Sequence, residues 1–500
     1  MPQKGLGAID FDAIQTLYCY GSLIQDELQK WLHANSARTL VILEDEIGAL
    51  RSFRETAYWD DPQVVIRFAA NPQSWDLILE ECAHQFPHRD IAVISKKKNP
   101  SLFRKIKHSL EKKTILWNSL FSEALHPDLF FHNVFANFTK IPSSFSVNQM
   151  RGAFQGVPAI ICGAGPTLEK SASFLKKWQD QALILGGGST LSALSHLGVL
   201  PHFGLAIDPN PKEYECIRNC KETAIPLIYC SRLLPQVLEH FKGPYGYLRS
   251  GTGGSLEAYL EDKLGISGSH IGPDLGREAL SVTTMALALG AALGCNPIYL
   301  LGVDLAYSGK KLYAGGVGPQ ELLSEARQKI LYRKGKEGRK LPTTLKWIME
   351  RDTIASFAKK HPKTQFFQTP HDGLLIPNLP QISESEFERQ FAVKSLNLHS
   401  RIQEQMAQNR FSIASDRIES LHQELFASLE RCAAIADAVI LEGISPRTIV
   451  YESDLKEELA FQALLKEFWW AYPQIFKNNE LALWQEIRRI SSAYCAVSSR

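Results

Sequence analysis

The chain has 500 residues, of which 45% are hydrophobic and 22% are charged, so it is long enough for two or three domains with buried cores. Its formal net charge of +2 excludes a protein whose whole surface is built to bind nucleic acid. The nine cysteines include no C-x-x-C pair, and this pattern is typical of reduced thiols in a cytosolic protein.

No targeting or membrane segment is predicted. The N-terminus lacks the apolar run of a secretory signal. The most apolar helix-length stretch, 279–294, is interrupted by hydroxyl side chains and is followed by Pro297, so we predict a buried helix and no membrane span. We therefore expect a cytoplasmic protein.

A small Rossmann-like α/β domain, with a basic linker, is predicted for 1–115. Strands at 16–20 and 39–43 flank a helix at 24–32, and the second strand ends at Glu44. A carboxylate there suits a ribose hydroxyl, but the turn after the first strand has one glycine where a dinucleotide site needs three. The glycine count therefore favours a domain without a second dinucleotide site.

The central domain, predicted for 116–385, opens with a short apolar strand and the turn Gly163-Ala-Gly-Pro-Thr-Leu168. Gly163 and Gly165 permit close backbone approach, and Pro166 suits the first residue of a helix. Thr167 adds a hydroxyl, so we predict an anion site at a helix N-terminus. The sequence misses the third glycine of a dinucleotide fingerprint and the second glycine of a P-loop, and a tight turn without a ligand is the alternative.

Two further strands end in turns of similar character. The strand at 182–185 runs into Gly188 and Ser189, and the strand at 203–207 ends at Asp208. Parallel strands separated by helices bring their carboxyl ends to one edge of a sheet, where ligands bind. We therefore predict an α/β fold with a doubly wound parallel sheet and a nucleotide crevice that includes these residues.

The later part of the domain supplies more candidates. Ser281 and Thr283 open the buried helix, where a hydroxyl caps the helix or binds a phosphate or ribose. Asp304 follows an apolar strand and is suited to binding Mg²⁺, accepting from a ribose hydroxyl or bracing the loop. Tyr307 and Tyr313 are predicted to donate hydrogen bonds to a leaving phosphate, with a turn tyrosine packed on the surface as the alternative.

Two features close the central domain. The basic segment 315–340 is predicted to be a mobile loop that closes over an anionic substrate, with ordinary disorder as the alternative. His371 lies in a turn after the last strand and is a candidate general base, because imidazole titrates near neutrality. A solvated turn histidine is the alternative.

The segment 386–500 is predicted to be a helical C-terminal domain. Glycine and strand signals nearly vanish there, and apolar residues recur at helical spacing. Such a bundle packs on the central domain or supplies an oligomer contact.

The order of four stretches, ICGAGPTL, GGGSTLSAL, LGVLPHFGLAIDP and GREALSVTTMALALGAALGCNPIYLLGVDLAYSGKKLYA, resembles the MptE-like superfamily. That superfamily includes the motility-associated factor (Maf) glycosyltransferases of flagellin modification and archaeal 6-hydroxymethylpterin diphosphokinases. The resemblance runs from residue 15 to residue 385 and implies a sialyltransferase-like central domain. It implies a scaffold or partner-binding role for the N-terminal domain, because Maf-like proteins have a comparable domain there. It also implies that Ser281 lies at the nucleotide site, and that Tyr307 and Tyr313 stabilise a departing CMP as in bacterial sialyltransferases.

Two functions share the predicted crevice. The resemblance implies a glycosyltransferase that moves an acidic sugar, a nonulosonate, from a CMP-sugar donor to a Ser or Thr hydroxyl of a protein acceptor such as flagellin, with no tightly bound cofactor and no metal. The alternative is a diphosphokinase that transfers diphosphate from ATP to 6-hydroxymethylpterin, in which Asp208 and Asp304 hold Mg²⁺. A non-catalytic nucleotide-binding or partner-binding protein is the third interpretation.

Overall fold

Runs of aliphatic and β-branched residues form the strands of two parallel sheets. The computed structural model describes residues 14–22, 26–86, 91–125, 127–252, 254–275, 281–308, 311–318, 323–325, 330–392, 396–475 and 479–498. The chain divides into two compact units, Met1–Leu125 and His126–Arg500.

The first unit is a Rossmann-like α/β fold, as predicted. Its strands are β1 (Thr16–Tyr20), β2 (Thr39–Glu44), β3 (Val64–Phe68) and β4 (Ile91–Ser95), and its helices are α1 (Asp26–His33), α2 (Ile47–Phe53), α3 (Ser74–Gln85) and α4 (Pro100–Leu125). All strand pairs are parallel, in the order β3-β2-β1-β4. Alternate side chains enter two cores, with Tyr18 and Val41 in one and Leu17 and Ile42 in the other.

The basic run predicted as a linker contributes to helix α4, which belongs to the first unit. The predicted domain boundary at residue 115 falls inside this helix. Lys113 pairs with Glu80 of α3, and Trp117 donates its indole N–H to the same carboxylate over 2.7 Å. Contacts between α3 and α4 therefore extend this unit ten residues beyond the predicted boundary.

The second unit contains an eight-stranded sheet. Its strands are β5 (Phe145–Ser146), β6 (Ala159–Cys162), β7 (Leu183–Gly187), β8 (Phe203–Ala206), β9 (Leu227–Tyr229), β10 (Tyr245–Tyr247), β11 (Ile298–Leu301) and, after a two-stranded hairpin of β12 (Leu331–Lys334) and β13 (Lys340–Thr343), β14 (Phe366–Gln368). The order is β14-β11-β6-β7-β8-β9-β10-β5, and every pair in this sheet is parallel. The strand order reverses between β6 and β11, and ligands bind at such a switch point in open α/β sheets.

Helices cover both faces of this sheet. They are α5 (Pro127–Phe138), α6 (Ala172–Trp178), α7 (Ser189–Leu197), α8 (Pro211–Ile217), α9 (Pro235–His240), α10 (Gly254–Lys263), α11 (Val282–Ala292) and α12 (Leu345–Lys360). Ile161 and Leu185 pack with Leu287 in what we call the α11 cluster, whereas Ile160 and Ile184 pack with Trp178 in the α6 cluster on the opposite face. The doubly wound architecture is therefore confirmed.

The C-terminal segment is helical, as predicted, and is part of the second unit. It contains α13 (Glu384–Phe391), α14 (Leu398–Gln408), α15 (Ser415–Glu442), α16 (Thr448–Glu457), a π-helical turn (Phe461–Leu465), α17 (Lys466–Ile475) and α18 (Glu480–Ser498). Phe387 stacks on Tyr299 of β11 with 4.5 Å between ring centroids, and Tyr494 lies 3.8 Å from Phe131 of α5. Within the described part of the chain, no helix has the length and apolar character needed to cross a membrane.

Candidate active site

The turn after β6 lies directly against the exit of β11. The Gly163 N–H donates to Leu301 O, and the Gly165 N–H donates to Gly302 O, each over 2.8 Å. A Cβ at Gly165 would stand 2.4 Å from Cγ of Asp304 and 2.6 Å from Gly302 O, and one at Gly163 would stand 2.6 Å from that same oxygen. Both positions therefore require glycine because the two strand exits approach each other closely.

The helix after this turn differs from the prediction. Pro166 is the first residue of a helix, as predicted, but this helix is a 3-10 helix, Pro166–Ser171, and the α-helix α6 starts only at Ala172. The Thr167 N–H at the start of the 3-10 helix donates to Asp304 Oδ2 over 3.0 Å. The amides of Gly165 and Thr167 are thus used within the protein, and the turn is braced before any anion binds.

Asp304 is the brace. Its carboxylate is 2% exposed and accepts from both the backbone N–H and the hydroxyl of Thr167. Burial raises the pKa of Asp304, and the bonds from Thr167 and the charge of Lys336 oppose that rise. Of the three roles predicted for this residue, the structure shows the bracing of the loop.

Cationic side chains lie next to this brace. The Lys336 N–H, in the hairpin of β12 and β13, donates to Gly373 O over 3.0 Å and holds the hairpin in place. Loss of solvation lowers the pKa of Lys336 to about 8, although the charges of Asp304 and Asp372 act to raise it. Arg339 pairs with Asp372 over 2.5 Å. This half of the predicted mobile loop is an ordered hairpin, and the calls on 319–322 and 326–329 lie outside the described residues.

The two predicted catalytic tyrosines pack against different parts of the fold. Tyr307 is 4% exposed, and its ring meets Trp347 of α12 edge-on with 5.3 Å between centroids. Tyr313 is half-buried against the α6 cluster, while Trp347 borders the α11 cluster. Both tyrosines follow β11 along the chain. Their shared role at a leaving phosphate stays a prediction.

At the start of α11 the predicted hydroxyls serve as a helix cap. Ser281 and Thr284 form a capping box, in which each side chain accepts from the other residue's N–H. Ser281 also donates its hydroxyl to Glu350 of α12 over 2.7 Å. Thr283 lies half-buried in the first turn of the helix. Capping and ligand binding are compatible at such a position.

The turns after β7 and β8 lie at the same edge of the parallel sheet as the turn after β6. Gly188 has a φ of 53° and caps α7, so that Ser189 is the first residue of this helix. Asp208 accepts from the backbone N–H of Asn210 over 2.9 Å and from its amide over 2.5 Å. Asp208 therefore shapes its own turn, and it remains partly exposed.

A buried glutamate in this region was missed from the sequence. Glu213, in the first turn of α8, is 8% exposed, and its carboxyl oxygens lie 3.4 and 3.5 Å from where a Cβ of Gly188 would stand. Burial and the nearby charge of Asp208 raise its pKa to about 8, with Lys346 opposing. The available signal was an acidic residue five positions after the strand-end Asp208. Glu350, which is also buried with a raised pKa, comes from a distant helix and carried no such signal.

The candidate base and the candidate metal ligands are placed as follows. His371 Nε2 lies 3.7 Å from Glu384 Oε1 at the start of α13, so the imidazole faces that helix. Among the residues that the structure describes, no three His, Cys, Asp or Glu side chains converge as metal ligands. Asp208 holds its own turn, and Asp304 holds the turn after β6.

The chain is similar to known proteins in one part of its sequence and in its fold. Residues 132–310 match the model of the family described as 6-hydroxymethylpterin diphosphokinase MptE-like. The chain is also similar to the solved structure of a Maf glycosyltransferase from Magnetospirillum magneticum AMB-1, with a TM-score of 0.53 and 16% identity, over 96% of this chain and 78% of that one. No curated protein matches the chain. The match covers the segment that contains the glycine turn and Asp304, and the chain shares its fold with that Maf glycosyltransferase, as the sequence resemblance predicted.

Proposed function

We propose that this protein is a glycosyltransferase that moves an acidic sugar of the nonulosonate type from a CMP-sugar donor to a Ser or Thr hydroxyl of a protein acceptor such as flagellin. The observation that carries the proposal is the likeness in fold to a Maf glycosyltransferase over 96% of the chain, which includes both units. A fold hosts many activities, so the donor and the acceptor are argued from the site.

The donor fits the switch point between β6 and β11. In this proposal the turn from Gly163 to Thr167 and the hydroxyls of Ser281 and Thr283 hold the nucleotide, with Ser189 beside them. A CMP-nonulosonate carries a phosphate and a carboxylate, and both are anions. Lys336 and Arg339 on the neighbouring hairpin supply positive charge for such a ligand, and anion binding would favour the charged form of Lys336.

Transfer requires a good leaving group. The glycosidic bond to the CMP phosphate breaks as the acceptor oxygen attacks, and negative charge develops on that phosphate. Tyr307 and Tyr313 would donate their phenolic hydrogens to it, and a preorganised donor in a site shielded from water lowers the barrier. No metal ion is needed for this route.

Calorimetry tests the proposal. CMP, CDP, ATP and AMPPNP are titrated into the full chain with Mg²⁺ and with EDTA, and hydrolysis of a CMP-nonulosonate is followed in parallel. We expect CMP binding that survives EDTA, and donor hydrolysis that slows roughly 10- to 100-fold in Tyr313→Phe. Tyr451→Phe is the matched control, because that phenol donates to Glu442 on the helical segment over 2.7 Å. Failure of CMP to bind would refute the proposal.

A diphosphokinase is the second candidate, and the description of the matching family model favours it. Asp208 would then be the better Mg²⁺ ligand, because it is partly exposed while Asp304 is buried against Thr167. ATP binding that requires Mg²⁺ and is lost in Asp208→Asn would select this function. Nucleotide affinity without turnover of any donor would indicate a non-catalytic binding protein.

A further inference from the structure

Glu213 occupies an unusual position beside the proposed donor site. It follows the exit of β8 and reaches across to the turn after β7, where its oxygens approach the space that a side chain at Gly188 would fill. That same space is 3.7 Å from Cγ2 of Val282, in the first turn of α11. The carboxyl group therefore lies where the exits of β7 and β8 meet the start of α11.

The hydrogen bonding of the buried Glu213 carboxyl group is incomplete among the described residues. Among the described residues, Oε1 of Glu213 has no hydrogen-bond partner, although the residue is only 8% exposed. Buried polar atoms in folded proteins are nearly always bonded, so an orphan of this kind needs an explanation. Glu350 gives the contrast, since its buried carboxyl accepts from Ser281 over 2.7 Å.

We propose that Glu213 is the proton acceptor of the transfer reaction, taking the proton of the attacking hydroxyl either directly or through one water molecule. The inference rests on the glycosyltransferase function proposed above. It assigns the base to a residue that touches the Gly188 turn, and it leaves His371, which faces Glu384, outside the reaction. Hydrogen bonds of catalytic groups are often incomplete before substrate binds.

The step balances as follows. The acceptor oxygen forms a bond to the anomeric carbon, and the bond from that carbon to the CMP phosphate oxygen breaks. The electron pair of the broken bond leaves with CMP. The hydroxyl proton moves to the ionised carboxylate of Glu213, which then releases it to solvent. The carboxylate form is therefore the active form.

The charged groups near Glu213 shift its pKa. Asp208 from the exit of β8 raises the pKa, and Lys346 of α12, which also acts on Glu350, lowers it. Cys216 is a titratable neighbour on α8 itself, and among the described residues Gly188 of the β7 turn and Val282 of α11 lie close to the carboxyl group. With a pKa of about 8, the active carboxylate becomes more abundant as the pH rises from 6 to 9.

The test is the pH profile of CMP-nonulosonate hydrolysis, in which water replaces the acceptor. We expect wild-type kcat/KM to rise with pH to a plateau with a midpoint near 8. Glu213→Gln should lower kcat by at least about 10²-fold and abolish the rise, while CMP affinity stays at the wild-type value. Glu215→Gln, an exposed glutamate on the same helix, should behave as wild type.

The outcomes separate the two proposals. A Glu213→Gln variant that retains both the rate and the rising limb overturns the base assignment and leaves the transferase standing. A wild-type protein that neither binds CMP nor hydrolyses the donor overturns both. If Glu213→Gln does not fold, Glu213→Asp serves instead, and we expect a reduced rate with a displaced limb; an unchanged rate and limb in that variant overturn the assignment.

Discussion

A buried glutamate lies at a strand exit in each unit, and the two differ in how well they are bonded. Glu44, which ends β2 in the first unit, is fully buried. It accepts from the N–H and hydroxyl of Ser22 over 3.1 and 3.0 Å, and from the N–H groups of Asp45 and Glu46 over 2.8 and 2.9 Å. It also pairs with Lys97. Glu213 in the second unit has an oxygen with no partner among the described residues.

The contrast separates a structural carboxylate from a reactive one. The oxygens of Glu44 already accept hydrogen bonds from the neighbouring loops. They are therefore not available to accept one from a ribose hydroxyl. The scaffold role of the first unit stays a prediction. A buried carboxyl oxygen without a hydrogen bond, such as Oε1 of Glu213, lowers the free energy of unfolding. Loss of stability of this kind is typical of groups that take part in a reaction.

The largest expected effect tests whether Glu213 is protonated in the folded protein. The folded pKa of Glu213 is about 8, against about 4.3 for an exposed glutamate. The folded protein therefore holds this proton more tightly, and the free energy of unfolding falls by up to about 4 kcal/mol as pH rises from about 4.5 to about 8. Glu213→Gln should remove this fall, because an amide does not titrate in this range.

Hydrogen exchange of the β7 and β8 amides in the full chain, corrected for its intrinsic pH dependence, measures this effect. Glu215→Gln serves as the control and should keep the wild-type slope. Identical slopes in wild type and Glu213→Gln would show that Glu213 is not held in its neutral form.

The next effect tests the satisfied carboxylate. Glu44→Gln leaves the Lys97 ammonium partly buried beside an amide and turns an NH₂ group toward N–H donors, so we expect the first unit to lose about 3 kcal/mol. Exchange of β1 and β2 amides should accelerate, while CMP affinity and exchange in β7 remain unchanged. A loss of CMP binding would contradict the scaffold role of the first unit.

A smaller effect tests the glycine turn. Gly165→Ala forces a methyl group to within 2.4 Å of Asp304 Cγ, and overpacking of this kind costs about 2 kcal/mol. CMP affinity should fall as the turn moves. Gly48→Ala is the matched control, because a Cβ there meets nothing within 4 Å and α2 gains a better helix former. Full CMP affinity in Gly165→Ala would argue against this turn as part of the donor site.

The smallest effect tests the brace itself. Thr167→Val keeps the side-chain shape but removes the hydroxyl that donates to Asp304, which should cost the second unit about 1.5 kcal/mol. Thr139→Val removes an exposed hydroxyl that donates to Ala136 O and should change stability by less than about 0.5 kcal/mol. Equal stability of the two variants, read from urea unfolding, would show that the Asp304 brace contributes nothing.

Much of the fold was predictable because its signals are local. The apolar runs that end at Cys162, Leu185 and Leu301 are strands, and the turns that follow two of them contain the glycines that close approach requires. The bond from the Thr167 N–H to Asp304 was not predictable, because that carboxylate lies 137 residues away in sequence. A hydrogen bond to an acceptor so distant in sequence gives no signal in a short stretch of sequence.

By itself the sequence determined the parallel sheets, the helical C-terminal segment and the residue types at the strand exits, since hydrophobic period and turn chemistry depend on neighbours along the chain. Only the tertiary structure decided which of those residues are already bonded and which are not. It packed Tyr307 and Tyr313 against different parts of the fold, bonded Asp304 to Thr167, and brought Glu213 against Gly188 with no partner for Oε1 among the described residues. Burial and hydrogen bonding are set by elements far apart in sequence, and they control which carboxyl groups can react.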